Sequence, residues 1–149
     1  MVSCTEFIPL YSELFKFLEK KNGRQEVLDY WNHISDKSVQ KTLGTEIEKH
    51  GLKGCWTYWN KSLNEEACDF TLTYDEEKEY FEINMRGCPS RGMLNKLTYM
   101  EPYYDYCLHC DVLYARVAAK YGIKIEGDYS QVDKACCRIW ARPMKKDEK

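Results

Sequence analysis

Cys68-Asp69-Phe70-Thr71-Leu72-Thr73-Tyr74-Asp75 and Tyr80-Phe81-Glu82-Ile83-Asn84-Met85-Arg86 decide the fold of this chain. In the first stretch Cys68, Phe70, Leu72 and Tyr74 alternate with Asp69, Thr71, Thr73 and Asp75. In the second, Phe81, Ile83 and Met85 alternate with Tyr80, Glu82, Asn84 and Arg86. A period of two is what a strand with one buried face produces, and the polar Asp75-Glu76-Glu77-Lys78 joins the two stretches. The spacing predicts an antiparallel hairpin with its apolar residues on one side. The same parity carries Cys88 to the polar side with Asn84 and Arg86, unless a bulge near Gly87 flips it.

Upstream of the hairpin the period is helical. Phe7, Leu10, Tyr11, Leu14, Phe15 and Leu18 recur at steps of three and four up to Lys21-Asn22-Gly23. Val27, Leu28, Trp31 and Ile34 form a second helix, and Val39, Leu43 and Ile47 a third that Ser35 or Asp36 caps and His50-Gly51 ends. A fourth is expected over Lys53 to Glu66, where Gly54 and the β-prone Trp56-Thr57-Tyr58-Trp59 run work against it.

Downstream, Pro89 opens a helix expected over Ser90 to Met100, and Pro102 a longer one reaching Tyr121 before Gly122. The last strand is expected over Lys134 to Arg142, with Cys137, Ile139 and Ala141 on one face and Cys136, Arg138 and Trp140 on the other. Lys145 to Lys149 reads as a frayed, charged end. The expectation is one α+β domain over residues 1–149. Its helical N-terminal half packs on a small antiparallel sheet of three or more strands, with two helices inserted between the hairpin and the last strand.

The 149 residues suffice for one core that buries about 68–70% of the unfolded chain's surface, so no disulfide is needed for stability. Acidic and basic residues intermingle to a net charge of −2, which leaves no electrostatic footprint for nucleic acid. No stretch approaches about 18 apolar residues, and Glu6, Glu13 and Lys16 interrupt the N-terminal segment, so neither a membrane span nor a signal peptide is expected. A cytoplasmic protein follows as the expectation, in which eight cysteines stay reduced and read as small hydrophobes, metal ligands or reactive thiols. Twelve tyrosines fill a core or line a pocket. Trp56, Tyr58 and Trp59 exceed what one small core needs and make a homodimer plausible.

Two cysteine contexts carry chemistry. Cys88, in Met85-Arg86-Gly87-Cys88-Pro89-Ser90-Arg91-Gly92, stands at a strand-to-helix turn, where the N–H groups of a helix start favour a thiolate. Cys107-Leu108-His109-Cys110-Asp111 is the most ligand-like cluster. Its Cys-x-x-Cys spacing suits a redox dithiol or half of a zinc or iron site, with Cys107 and Cys110 as ligands, but no second half occurs. On a helix, Tyr103, Tyr106, Cys107, Cys110, Leu113, Tyr114 and Val117 share one stripe, so the alternative is a pair of buried structural thiols. His109 flanks that stripe about 100° from Cys110. It reads as a boundary residue, or as a base for Cys88 if the helix packs across the strand end. Phosphate-loop, Walker, GxSxG, HExxH and EF-hand strings are absent.

Glu66-Ala67-Cys68-Asp69-Phe70, then Tyr80-Phe81-Glu82-Ile83 leading to Cys88-Pro89, then Tyr106-Cys107-Leu108-His109-Cys110-Asp111, then Lys134-Ala135-Cys136-Cys137-Arg138-Ile139 follow one another in an order that resembles the L-2-amino-thiazoline-4-carboxylate hydrolase-like family of bacterial proteins. The likeness runs from about Glu65 to Arg142. It implies hydrolytic opening of a cyclic amidine, with water adding at the C=N carbon. On that reading Cys88 attacks or polarises water and His109 or Asp111 moves the proton. Arg86 or Arg91 holds the substrate carboxylate, with Asn84 and Tyr106 lining the site. No cofactor is expected, with zinc or iron at Cys107 and Cys110 as the alternative. The same order of elements is similar to 4-vinyl-reductase-type small-molecule-binding domains, which implies a ligand-binding role without turnover.

Overall fold

The computed structural model describes residues 4–148, with side chains from Glu6 onward. Four helices come first: α1 (Cys4–Asn22), α2 (Arg24–Lys37), α3 (Leu43–His50) and α4 (Lys53–Asn64). The hairpin follows as β1 (Asp69–Asp75) and β2 (Tyr80–Gly87), then α5 (Pro89–Lys96), α6 (Leu108–Ala119), β3 (Ile123–Asp128) and β4 (Cys137–Pro143). The four strands form one antiparallel sheet in the order β1-β2-β4-β3. The class is α+β with a helical N-terminal half.

Cross-strand pairs confirm the alternation read from the sequence. Leu72 lies opposite Ile83, Ile83 opposite Ile139, and Phe81 opposite Ala141, so these side chains share the face that the helices cover. The other face is polar. There Glu82 takes a hydrogen bond from Tyr80 and an ion pair from Arg138, and Arg86 pairs with Asp69. α4 packs on β1 and β2, with Trp59 stacked on Phe81 at 5.4 Å, and α6 lies between β3 and α2. Two buried hydroxyls tie distant segments together. Ser35 Oγ donates to the Leu113 carbonyl of α6, and Ser12 Oγ accepts from the Tyr103 N–H, both at 2.8 Å.

Gly54 sits inside α4 because α3 crosses it closely: a Cβ there would collide with the Glu46 carbonyl. Close helix approach accounts for a residue that opposes helix formation. Gly122 takes φ +72 where α6 turns into β3, a conformation side chains disfavour.

Several expectations need correction. Phe7 and Leu10 point outward, and the inward face of α1 is Ile8, Tyr11, Ser12, Phe15 and Leu18. The third helix divides into a 3₁₀ turn at Val39–Lys41 and α3. The helix expected from Pro102 begins at Leu108, because Tyr103 is anchored to Ser12 and buried with Tyr106. β3 was not anticipated. Trp59 is buried, and Trp56 and Tyr58 are half-buried against the core, so these rings belong largely to the core of their own chain. Glu148 is not frayed: it bonds Arg142 and Lys124, while Lys149 lies outside the described residues.

Candidate functional site

β2 carries one residue more than β1 at its end. Phe70 pairs with Met85 and Asp69 with Gly87, so Arg86 has no partner in the register. A bulge of this kind reverses the side-chain parity beyond it. Cys88 therefore turns from the polar face toward the core, where it caps α5 and its sulfur accepts the Arg91 N–H at 3.5 Å. Its own N–H donates to the Ala135 carbonyl at 2.8 Å, which fixes the start of α5 to the loop before β4. Arg91 Nε and the Asn95 amide reinforce that tie through the Val132 and Asp133 carbonyls.

Cys88, Cys107, Cys110 and Cys137 lie within electrostatic reach of one another: Cys110 acts on Cys88, Cys88 and Cys110 act on Cys107, and all three act on Cys137. β2's bulge supplies the first, the start of α6 the next two, and the inward face of β4 the fourth. Burial is the main cause of every shift. It pushes Cys107, Cys110 and Cys137 up to about 12 and raises Cys88 despite its helix-start position. Burial thus works against the expected Cys88 thiolate, while hydrogen bonds from the start of α5 work for it. All cysteines among those described are free. Cys136 points the other way, as the strand alternation requires, and its thiol donates to the Arg86 carbonyl at the surface.

Tyrosines and His109 complete the surroundings. Tyr106 and Tyr129 lie within electrostatic reach of the thiols, and burial raises both phenols. Tyr129 donates to Asp111 at 2.9 Å, and burial raises the Asp111 carboxyl. His109 is ringed by Tyr11, Phe15, Trp31 and Tyr106, the nearest centroid at 4.8 Å, so it is not the boundary residue expected. Burial lowers its pKa and keeps the ring neutral. Nδ1 abuts the Tyr106 carbonyl and must carry the proton, which leaves Nε2 as an acceptor 3.6 Å from Cys110 Sγ. The thiol beside His109 is thus Cys110, rather than Cys88.

Cys107, His109, Cys110, Asp111, Tyr114 and Tyr129 keep some accessible surface although desolvation dominates their titration. The remaining anticipated residues divide. Arg91 and Tyr106 lie beside the thiols. Asn84 and Arg86 line a shallow groove of about 190 Å³ on the opposite face of the sheet, with Cys136 and Arg138, and Arg86 is already engaged by Asp69 and Thr71. Among the described residues, no three His, Cys, Asp or Glu side chains are grouped so as to hold a metal ion. Nor is any described helix long and apolar enough to cross a membrane.

Sequence reasoning missed Tyr129 as a companion of the α6 thiols. The alternation of Ile123 and Ile125, which marks β3 and leads to Tyr129, was the available signal. Comparison of the chain with protein-family models, with curated proteins and with solved structures returned no match.

Proposed function

We propose that α6 and the sheet enclose a recess for a small, largely apolar molecule, and that this chain is a binding domain for it. The observation that carries this reading is that Cys88, Cys107, Cys110 and Cys137 lie within electrostatic reach of one another and of Tyr106 or Tyr129, with burial favouring the protonated form of each. Neutral sulfur and aromatic edges are soft, polarisable walls that favour flat, polarisable ligands. The Asp111–Tyr129 pair supplies a polar point against which a hydrogen-bonding group on the ligand can orient. A reducing, cytoplasmic setting accords with free cysteines.

Thermal unfolding of the purified chain with phenol, indole and benzamidine tests the reading. Stabilisation that saturates with ligand, and that Cys137→Phe abolishes by filling the recess, supports it. Absence of stabilisation by all three, with no small molecule released on denaturing the purified protein, would overturn it.

A second reading, thiol-assisted hydrolysis of a cyclic amidine, is favoured by the Cys110–His109 contact. Water adds at the C=N carbon, the ring C–S bond breaks, and the departing sulfur takes the proton. His109 Nε2 is a neutral base oriented by the Tyr106 carbonyl. Incubation with 2-amino-thiazoline-4-carboxylate and mass analysis for an added water separates the two readings, because binding alone leaves the ligand unchanged.

A further inference from the structure

We propose that the outer face of α1 is a self-association surface on which two copies of the chain pair antiparallel about a two-fold axis. α1 carries two apolar stripes. The inner one serves its own core, while Phe7, Leu10 and Phe17 run along the outside with the half-buried Leu14 between them. Their spacing of three, four and three is the a/d period of a helix–helix seam. Phe7, Leu10 and Phe17 are 55%, 58% and 56% exposed. Apolar side chains exposed singly are ordinary, but successive members of one stripe mark an interaction surface.

Charge selects the occupant. Glu6 and Glu13 flank the stripe toward the start of α1, and Lys20 and Lys21 lie toward its end. An antiparallel pair sets Phe7 over Phe17 of the second copy and Leu10 over Leu14, and this register brings Glu6 beside Lys20 of the second copy. The two Glu13 side chains meet near the axis, where each already has its own Lys16 as counter-ion. A parallel pair would instead stack like ends on like. The surface therefore fits a second copy of itself, in the isologous arrangement typical of two-fold dimers. With 19 residues, α1 spans about 28 Å, enough for a seam but not for an obligate interface, so affinity in the micromolar range is expected.

Sedimentation velocity on the full chain from about 1 µM to about 200 µM tests this. The expected result is a reversible dimer that Leu10→Glu weakens by about tenfold or more, with the unfolding midpoint of the dilute monomer unchanged. Phe17→Glu is the second probe should Leu10→Glu disturb folding. Lys20→Glu is expected to weaken the dimer by about fivefold, and the double reversal Glu6→Lys with Lys20→Glu to restore it to within about twofold. A monomer at every concentration, including one that instead adheres to lipid vesicles, overturns the proposal. So does a dimer indifferent to both Leu10→Glu and Phe17→Glu, and failure of the double reversal to restore overturns the antiparallel order.

Discussion

His109 Nε2 stands 3.6 Å from the Cys110 sulfur, while Nδ1 of the same ring rests against the Tyr106 carbonyl. The backbone carbonyl fixes the tautomer, and the tautomer decides that the imidazole accepts from a thiol instead of donating to a thiolate. Thiol and imidazole are both held neutral, because burial penalises each charge. The interior is thereby suited to holding a ligand without reacting with it.

Thiol reactivity follows from that arrangement. In a Cys4→Ser background, iodoacetamide at pH 7.5 is expected to modify Cys136 first, because its thiol lies at the surface with only the Arg86 and Lys134 carbonyls as partners. Cys107, Cys110 and Cys137, pushed up to about 12, should react about a hundredfold more slowly until the chain unfolds. Peptide mapping of the labelled protein checks this. A fast adduct at Cys88 would reverse the conclusion that desolvation exceeds the helix-start effect there.

Packing gives a second expectation. Gly54→Ala introduces a methyl that meets the Glu46 backbone, which no side-chain rotation can relieve. Despite alanine's better helix propensity, the variant should lose about 1–3 kcal/mol, read as a lower urea midpoint at constant slope. An unchanged or raised midpoint would mean that α3 moves away freely.

The buried hydroxyls give a third. Ser12→Ala removes the acceptor of the Tyr103 N–H and leaves that donor inside the protein without a partner. The expected cost is about 1–3 kcal/mol, with amide exchange at Tyr103 accelerated more than in the sheet. Exchange that accelerates uniformly would assign Ser12 no special part in holding the 97–107 segment.

What was legible in the sequence divides along physical lines. Local periodicity registers the alternation of Phe81, Ile83 and Met85 and the opposite directions of Cys136 and Cys137, and both hold in the structure. It registers nothing about a bulge, because the extra residue at Arg86 is defined only by the neighbouring strand. Cys88 was therefore assigned to the wrong face. α1 failed for a different reason: two apolar stripes on one helix satisfy the same three-and-four spacing, and only packing tells which turns inward. The aromatic ring around His109 assembles α1, α2 and the approach to α6, contacts distant in sequence that no short motif encodes.

Opposite pH signatures should separate His109 from Asp111. The His109 pKa is lowered by burial, so below the unfolded value of about 6.5 the unfolded chain binds a proton that the folded one resists. Its contribution is fully present above that value and is lost as pH falls, and His109→Gln should flatten this slope on the acid side. Asp111 is raised by burial, partly offset by the Tyr129 hydroxyl, so the folded chain binds the proton more tightly than the unfolded one. Stability from this group is present below the unfolded value of about 3.9 and is lost as pH rises through the folded pKa. Asp111→Asn keeps an oxygen for Tyr129 and removes the buried charge, so it should raise the unfolding midpoint at pH 8 more than at pH 3.5. Were the variant instead less stable at pH 8, the carboxylate would have to be charged and paired in the folded state, and the recess would be suited to a cationic ligand rather than a neutral one.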